Sequence, residues 1–268
     1  LIEILQNSLI AGVLISIACG VIGTLIVVNR MVFISGGIAH AAFGGIGLGA
    51  YLGFSPVLGA LGFSFASALT MGVVQNKTRQ RPDTLIGVMW AVGMAIGVIL
   101  IDLSPGYNAE LMRYLFGSIL FISPTDLLFM LGVDILVLFV VALLYKELLA
   151  ISFDKTFARV SNIPVNVINY LLLALISLTV VTTMRLVGLI LVIALLTIPA
   201  ALGALFTKEL SKIMGLAVIF GIVLTTSGLF LSYALNLQSG ATIIVLAGTT
   251  YFLALFTKKT TQSIRNSG

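Results

Sequence analysis

The chain holds one histidine, His40. It lies inside the run RMVFISGGIAHAAFGGIGLGAYLG, residues 30–53. A neutral imidazole can bind a transition metal, relay a proton or hold a hydrogen bond. Its surroundings narrow that choice. Gly37, Ala41, Gly45, Gly49 and Gly53 recur every fourth residue. On a helix this makes one narrow ridge nearly bare of side chains, against which a neighbouring backbone can pack closely. Gly36 and Gly44 flank His40 one turn away on the adjacent ridge, leaving the space around the ring that a passing ligand needs. The rival reading is a histidine that hydrogen-bonds a neighbouring helix. Two carboxylates belong to the same question. Asp134 sits in the middle of the apolar stretch LGVDILVLFV, and Asp102 at the end of another. Imidazole with carboxylate suits Zn²⁺, Mn²⁺ or Fe²⁺. Ionisable groups at membrane depth are costly and by default mark a polar pathway, so His40, Asp134 and Asp102 are the candidate pathway residues. Met89 and Met94 are read as packing residues.

The elements that carry these groups are membrane helices. Of 268 residues, 60% are hydrophobic and 9% charged, against about 25% charged in soluble domains, and mean hydropathy is +1.21. The class is an all-α polytopic membrane protein, residues 1–268 forming a single transmembrane domain. The net charge of +5 resides in short loops and points to membrane orientation rather than to nucleic acid. A single cysteine, Cys19, rules out an intrachain disulfide or a cysteine metal cluster. The opening LIEILQNSLIAG lacks a basic leader and reads as the start of a retained helix. No G-x-x-x-x-G-K-[ST] motif is present, so any ATP hydrolysis must come from a partner.

At about 20 apolar residues per span, nine spans are predicted, with eight as the alternative count: 4–28, 33–52, 56–74, 84–103, 125–145, 165–183, 186–206, 213–235 and 241–256. Residues 111–122 are too short to cross and are expected to form a surface or re-entrant helix. Nine spans place Arg30, Lys77, Arg79, Arg81, Lys146, Lys155, Arg159, Lys208, Lys212, Lys258, Lys259 and Arg265 on one side, and only Arg113 and Arg185 on the other. Basic loops stay in the cytoplasm, so the N-terminus is expected outside and the C-terminus inside a prokaryotic cell membrane. Ser123-Pro124-Thr125-Asp126 reads as a helix start, with Ser as cap and Asp126 at the third position. Pro199 removes a hydrogen bond to Leu195 and is expected to kink its helix, as either a gate or a packing feature, with small residues after it.

The loop 146–164, KELLAISFDKTFARVSNIP, mixes charges with apolar Phe153, Phe157, Ala158 and Val160. A short amphipathic helix over 153–161, capped by Ser152, suits docking into a groove on a soluble partner. A helix lying on the lipid surface is the alternative.

These stretches together resemble the permease subunit of the metal-ion ABC importers of the zinc, manganese and iron type. RMVFISGGIAHAAFGG at 30–45, YLFGSILFISPTDL at 114–127, the loop at 146–164 and VGLILVIALLTIPAALGALFTKEL at 187–210 occur in the family's order. The resemblance implies a type II importer fold and a divalent metal ion as substrate, with no permanently bound cofactor. It implies a homodimeric or paired permease, two cytoplasmic ATPase subunits that bind ATP, and an external metal-binding protein. It also implies that 153–161 is the coupling helix, with Phe153, Asp154, Phe157, Ala158 and Arg159 meeting the ATPase. Glu110, Arg113 and Arg185 are expected to dock the binding protein; the rival for Arg185 is snorkelling to lipid headgroups. Gly37, Gly45, Gly49 and Pro199 are expected to serve packing and gating. In one respect the chain departs from the family. Many members carry an acid four residues before the histidine, where this chain has Gly36. The alternatives are a permease for metal chelates, an ion-driven secondary transporter, and an intramembrane protease. The protease lacks a serine motif here.

Overall fold

The computed structural model describes residues 2–77, 82–104, 117, 119 and 122–266. Among them, nine helices are long and apolar enough to cross a membrane. In chain order the helices are α1 (Ile2–Val28), α2 (Val32–Leu52), α3 (Pro56–Lys77), α4 (Pro82–Asp102), α5 (Pro124–Leu143), α6 (Tyr145–Phe153), α7 (Lys155–Val160), α8 (Val165–Val187), α9 (Leu189–Phe206), α10 (Leu210–Leu235) and α11 (Ser239–Asn266). The surface helix expected over 111–122 falls almost wholly outside the described residues, as do Glu110 and Arg113.

Two packed groups of helices emerge. α2 lies between α3 and α4, and α1 packs on α10, α9 and α5. α8 joins the groups by touching α3, α2, α1, α5 and α9. Lipid tails are as apolar as leucine, so such helices associate through close contact and interhelical hydrogen bonds. Both are present. Ser64 and Ser177 hydroxyls bridge α3 and α8 at 2.6 Å. Ser16 and Thr225 bridge α1 and α10 at 3.3 Å. Leu128, Ile135 and Phe139 of α5, and Val245, Phe252 and Phe256 of α11, are exposed, as lipid-facing residues should be.

The glycine ridge of α2 is where the bundle is tightest. A methyl group added at Gly45 would collide with the Gly59 carbonyl of α3. One at Gly49 would lie 2.7 Å from Pro56 Cα, and one at Gly37 2.8 Å from Met71 Cε. Toward α4, methyls at Gly44 and Gly47 would lie 2.9 and 2.5 Å from the carbonyl oxygens of Gly93 and Gly97. The bare surface thus continues around the helix and serves two neighbours. Gly53 does not extend the ridge. It takes a left-handed φ of 74° and ends α2, a conformation open to glycine at little cost. Gly45→Ala is expected to cost about 1–3 kcal/mol through overpacking, read as a lower Tm of the detergent-solubilised protein. Gly87→Ala is the control, because nothing lies within 4 Å of its added methyl.

Two boundaries differ from expectation. The apolar pattern puts the seam between the sixth and seventh spans at residues 184–185. Instead α8 runs on to Val187, and the break falls at Gly188, whose φ of 80° and ψ of 161° is a region reserved for glycine. The coupling helix does not run from Phe153 under a Ser152 cap. Phe153 ends α6, and Asp154 caps α7 by accepting from the Thr156 and Phe157 N–H groups at 2.7 and 3.2 Å. The Ser152 hydroxyl is engaged elsewhere: it donates back to Leu148 O at 2.7 Å and accepts from Asn29 Nδ2 at 2.9 Å. That second bond ties α6 to the end of α1. Pro199 is buried inside α9, with helix on both sides of it. In the last turn of α9, the Leu205 carbonyl accepts from Lys258 of α11, which satisfies one of the acceptors a helix terminus leaves over.

Candidate functional site

His40 sits in the third turn of α2 and is 9% exposed. The glycines beside it do leave room, and α4 fills it. The ring of Trp90 stacks on the imidazole, centroids 3.9 Å apart and 17° from parallel. The Nδ1 atom faces Met94 Sδ at 2.9 Å. Trp90 and Met94 are one turn apart on α4, so a single helix face presents both. This close approach follows from the backbone contacts at Gly44 and Gly93, which bring the two helices together. Met94, expected to be mere packing, is thus the polar neighbour of His40. The chain's one tryptophan lies against its one histidine.

The carboxylates are not brought to this point. Asp134 is 2% exposed, and neither carboxylate oxygen has a hydrogen-bond partner. It lies on the inward face of α5 with Met130, Val133 and Val137, near Cys19 of α1. α5 packs on α1, α8 and α6, whereas α2 packs mainly on α4, α3, α8 and α9. His40 and Asp134 therefore occupy different interfaces. Asp102 is exposed at the end of α4. Among the described residues, no group of three or more His, Cys, Asp and Glu could hold a metal ion. Asp134→Asn is expected to leave uptake near wild type, since the carboxyl makes no hydrogen bond and lies in a different interface from His40. A collapse of uptake in a folded Asp134→Asn protein would place the path along α5 instead.

The helix start at Ser123 is as expected, with one addition. Ser123 and Asp126 form a reciprocal capping box: the Asp126 N–H donates to Ser123 Oγ at 3.2 Å, and the Ser123 N–H to Asp126 Oδ2 at 3.4 Å. The second carboxylate oxygen then pairs with Arg185 at 2.9 Å. Neither docking nor snorkelling included this partner. Arg185 in the last turn of α8 is clamped to the first turn of α5, and both ends of the pair suit their helix dipoles. The side chains are 41% and 18% exposed, so the pair's own contribution is at most about 1 kcal/mol.

On the opposite, basic end of the bundle, α6 and α7 form a platform. Leu148, Ile151 and Ala158 are buried beneath it. Ala158 therefore anchors α7 from below and is not a contact residue, and Asp154 is its cap. What faces outward is Phe153, Phe157 and Val160, exposed by 68%, 63% and 80%. Val160 joins the outward face because the burial of Ala158 fixes which side of α7 packs inward. Asn162 at φ 58° turns the chain, and the Ile163 N–H closes onto Ala158 O at 3.0 Å.

Residues 1–258 match the ABC 3 transport family. An uncharacterised membrane protein of Synechocystis is 54% identical over 94% of this chain and 90% of its own. The manganese transport system membrane protein MntC of Halalkalibacterium halodurans is 36% identical over 94% of this chain and 86% of its own. The solved structure of PsaBC from Streptococcus pneumoniae in complex with Fab superposes with a TM-score of 0.85 at 32% identity, covering 94% of this chain and 90% of that one.

Proposed function

The chain belongs to the ABC 3 transport family, and on that footing we propose that it is the permease subunit of a metal-ion ABC importer whose ion passes along α2 at His40. The observation that carries the reading is the similarity, over 94% of the chain, to a manganese transport system membrane protein, on a fold that buries its only histidine among glycines. The substrate is a divalent transition-metal ion. It enters from an external binding protein at the end bearing Arg185, and it leaves at the basic end. That end is cytoplasmic by the positive-inside rule, which puts the N-terminus outside and the C-terminus inside. The chain spans the membrane many times and carries no ATPase motif of its own, so the work comes from cytoplasmic ATPase subunits seated on α6 and α7. A second permease copy completes the channel.

Within this reading, the glycine ridge has a mechanical consequence. Helices in contact backbone to backbone move as units, so α2, α3 and α4 are expected to shift together during the cycle. The Arg185–Asp126 clamp ties α5 to α8 at the entry side.

The test is uptake. Cells lacking their own importers, supplied with this chain and its partner subunits, should accumulate ionic metal in an ATPase-dependent manner. Accumulation of an intact metal chelate and not of the free ion would overturn the reading in favour of a chelate permease.

A further inference from the structure

The atoms around His40 define a donor set. Nδ1 faces the Met94 thioether at 2.9 Å. One turn earlier, a Cβ at Gly36 would lie 3.5 Å from Trp90 Cζ3, an ordinary van der Waals contact, so position 36 faces the same indole and carries no donor of its own. The carboxylates Asp134 and Asp102 lie elsewhere, in the α1–α5 interface and at the exposed end of α4. The site thus offers an imidazole and a thioether with no carboxylate. From this we infer that the intramembrane site favours borderline and soft metal ions, with Zn²⁺ as the divalent representative, over Mn²⁺, and that Met94 sets the preference. The inference rests on the proposed role of His40 as a metal ligand.

Manganese binds nitrogen and sulfur donors more weakly than the later first-row divalent ions do, and oxygen donors suit it best. A site that is to retain Mn²⁺ against Zn²⁺ needs carboxylates, and this one has none at hand. The backbone carbonyls of α2 and α4 near His40 are committed to their own helices. A thioether adds affinity only for the softer ions.

The geometry is that of a closed pair. Bonds of about 2.0 Å to imidazole nitrogen and about 2.3 Å to sulfur, at a tetrahedral angle, would put the two donors about 3.5 Å apart. The sulfur must therefore withdraw by about 0.6 Å from its 2.9 Å contact to admit an ion between them. Methionine, unbranched and with three rotatable side-chain bonds, can do so without moving α4. Trp90 covers a face of the imidazole, leaving the ring edge at Nδ1 for the ion.

Trp90 also supplies the readout, because it is the only tryptophan of the chain and touches His40. The full chain in lipid nanodiscs is titrated with Zn²⁺ and with Mn²⁺ while tryptophan emission is followed. Zn²⁺ should half-saturate the change at a concentration at least about tenfold below that of Mn²⁺. Met94→Leu, which keeps the volume and removes the sulfur, should erase most of that difference. His40→Ala should respond to neither ion. No response of the unmodified chain to Zn²⁺, Mn²⁺ acting at an equal or lower concentration, or an unchanged ratio in Met94→Leu would each overturn the inference. ATP-driven metal uptake by the same variants in the assembled transporter separates the two levels. If His40→Ala loses uptake while Met94→Leu keeps the wild-type ratio, only the inference falls. If His40→Ala transports normally, the reading beneath it falls as well.

Discussion

Replacing His40 by alanine is expected to abolish most metal uptake while leaving assembly and basal ATPase activity largely intact. Even a residue that only supports a metal ligand is worth about 10–100-fold in affinity or activity, so the loss at the ligand should be at least about tenfold. The fold should tolerate the change, because the ring makes no hydrogen bond to backbone and its one polar contact is a thioether. The tight contacts of α2 lie at its glycines and are untouched. Uptake of radiolabelled metal per assembled transporter is the measurement. Unchanged uptake would make His40 a packing residue that does no more than seat Trp90.

The second large effect lies at the platform of α6 and α7. Phe157→Ala removes an exposed aromatic side chain from a small docking surface, where such anchors often contribute about 2 kcal/mol or more. The isolated permease should be unaffected, since the side chain is solvent-facing and its N–H keeps the Asp154 cap. The ATPase subunit should be lost on purification, and coupled transport with it. Ala158→Asp is the contrasting change: it places a carboxylate at a fully buried position and should destabilise the permease itself. A stoichiometric complex with normal coupled transport in Phe157→Ala would show that the ATPase docks elsewhere.

How much of this was legible in the sequence depended on whether the cause was local. The spans were readable because bilayer thickness imposes a length, and the predicted segments agree with the helices to within a few residues at most ends. The helix start at Ser123 was readable because its cap, proline and acid are adjacent in the chain. The cap of α7 lies two residues beyond the expected Ser152 because Ser152 and Asp154 both qualify chemically. The choice fell to Asp154 once the Ser152 hydroxyl had turned back onto Leu148 O, a local competition that sequence alone does not decide. The glycine ridge predicted close packing, but not that α4 would share it with α3. Groups far apart in the chain were not legible at all. Trp90 and Met94 on His40, Arg185 on Asp126, and the isolation of Asp134 beside Cys19 each depend on which helices touch. Composition and periodicity specify a helix's buried face without naming the helix it meets.

The measurement that bears most directly on the central claim is metal accumulation in sealed proteoliposomes containing this permease, its ATPase subunits and its binding protein, with ATP supplied on the cytoplasmic side. The account predicts ATP-dependent accumulation of free divalent metal that is lost in His40→Ala although the complex still hydrolyses ATP. Metal accumulation that proceeds without ATP, or that is ATP-driven but indifferent to His40, would contradict it.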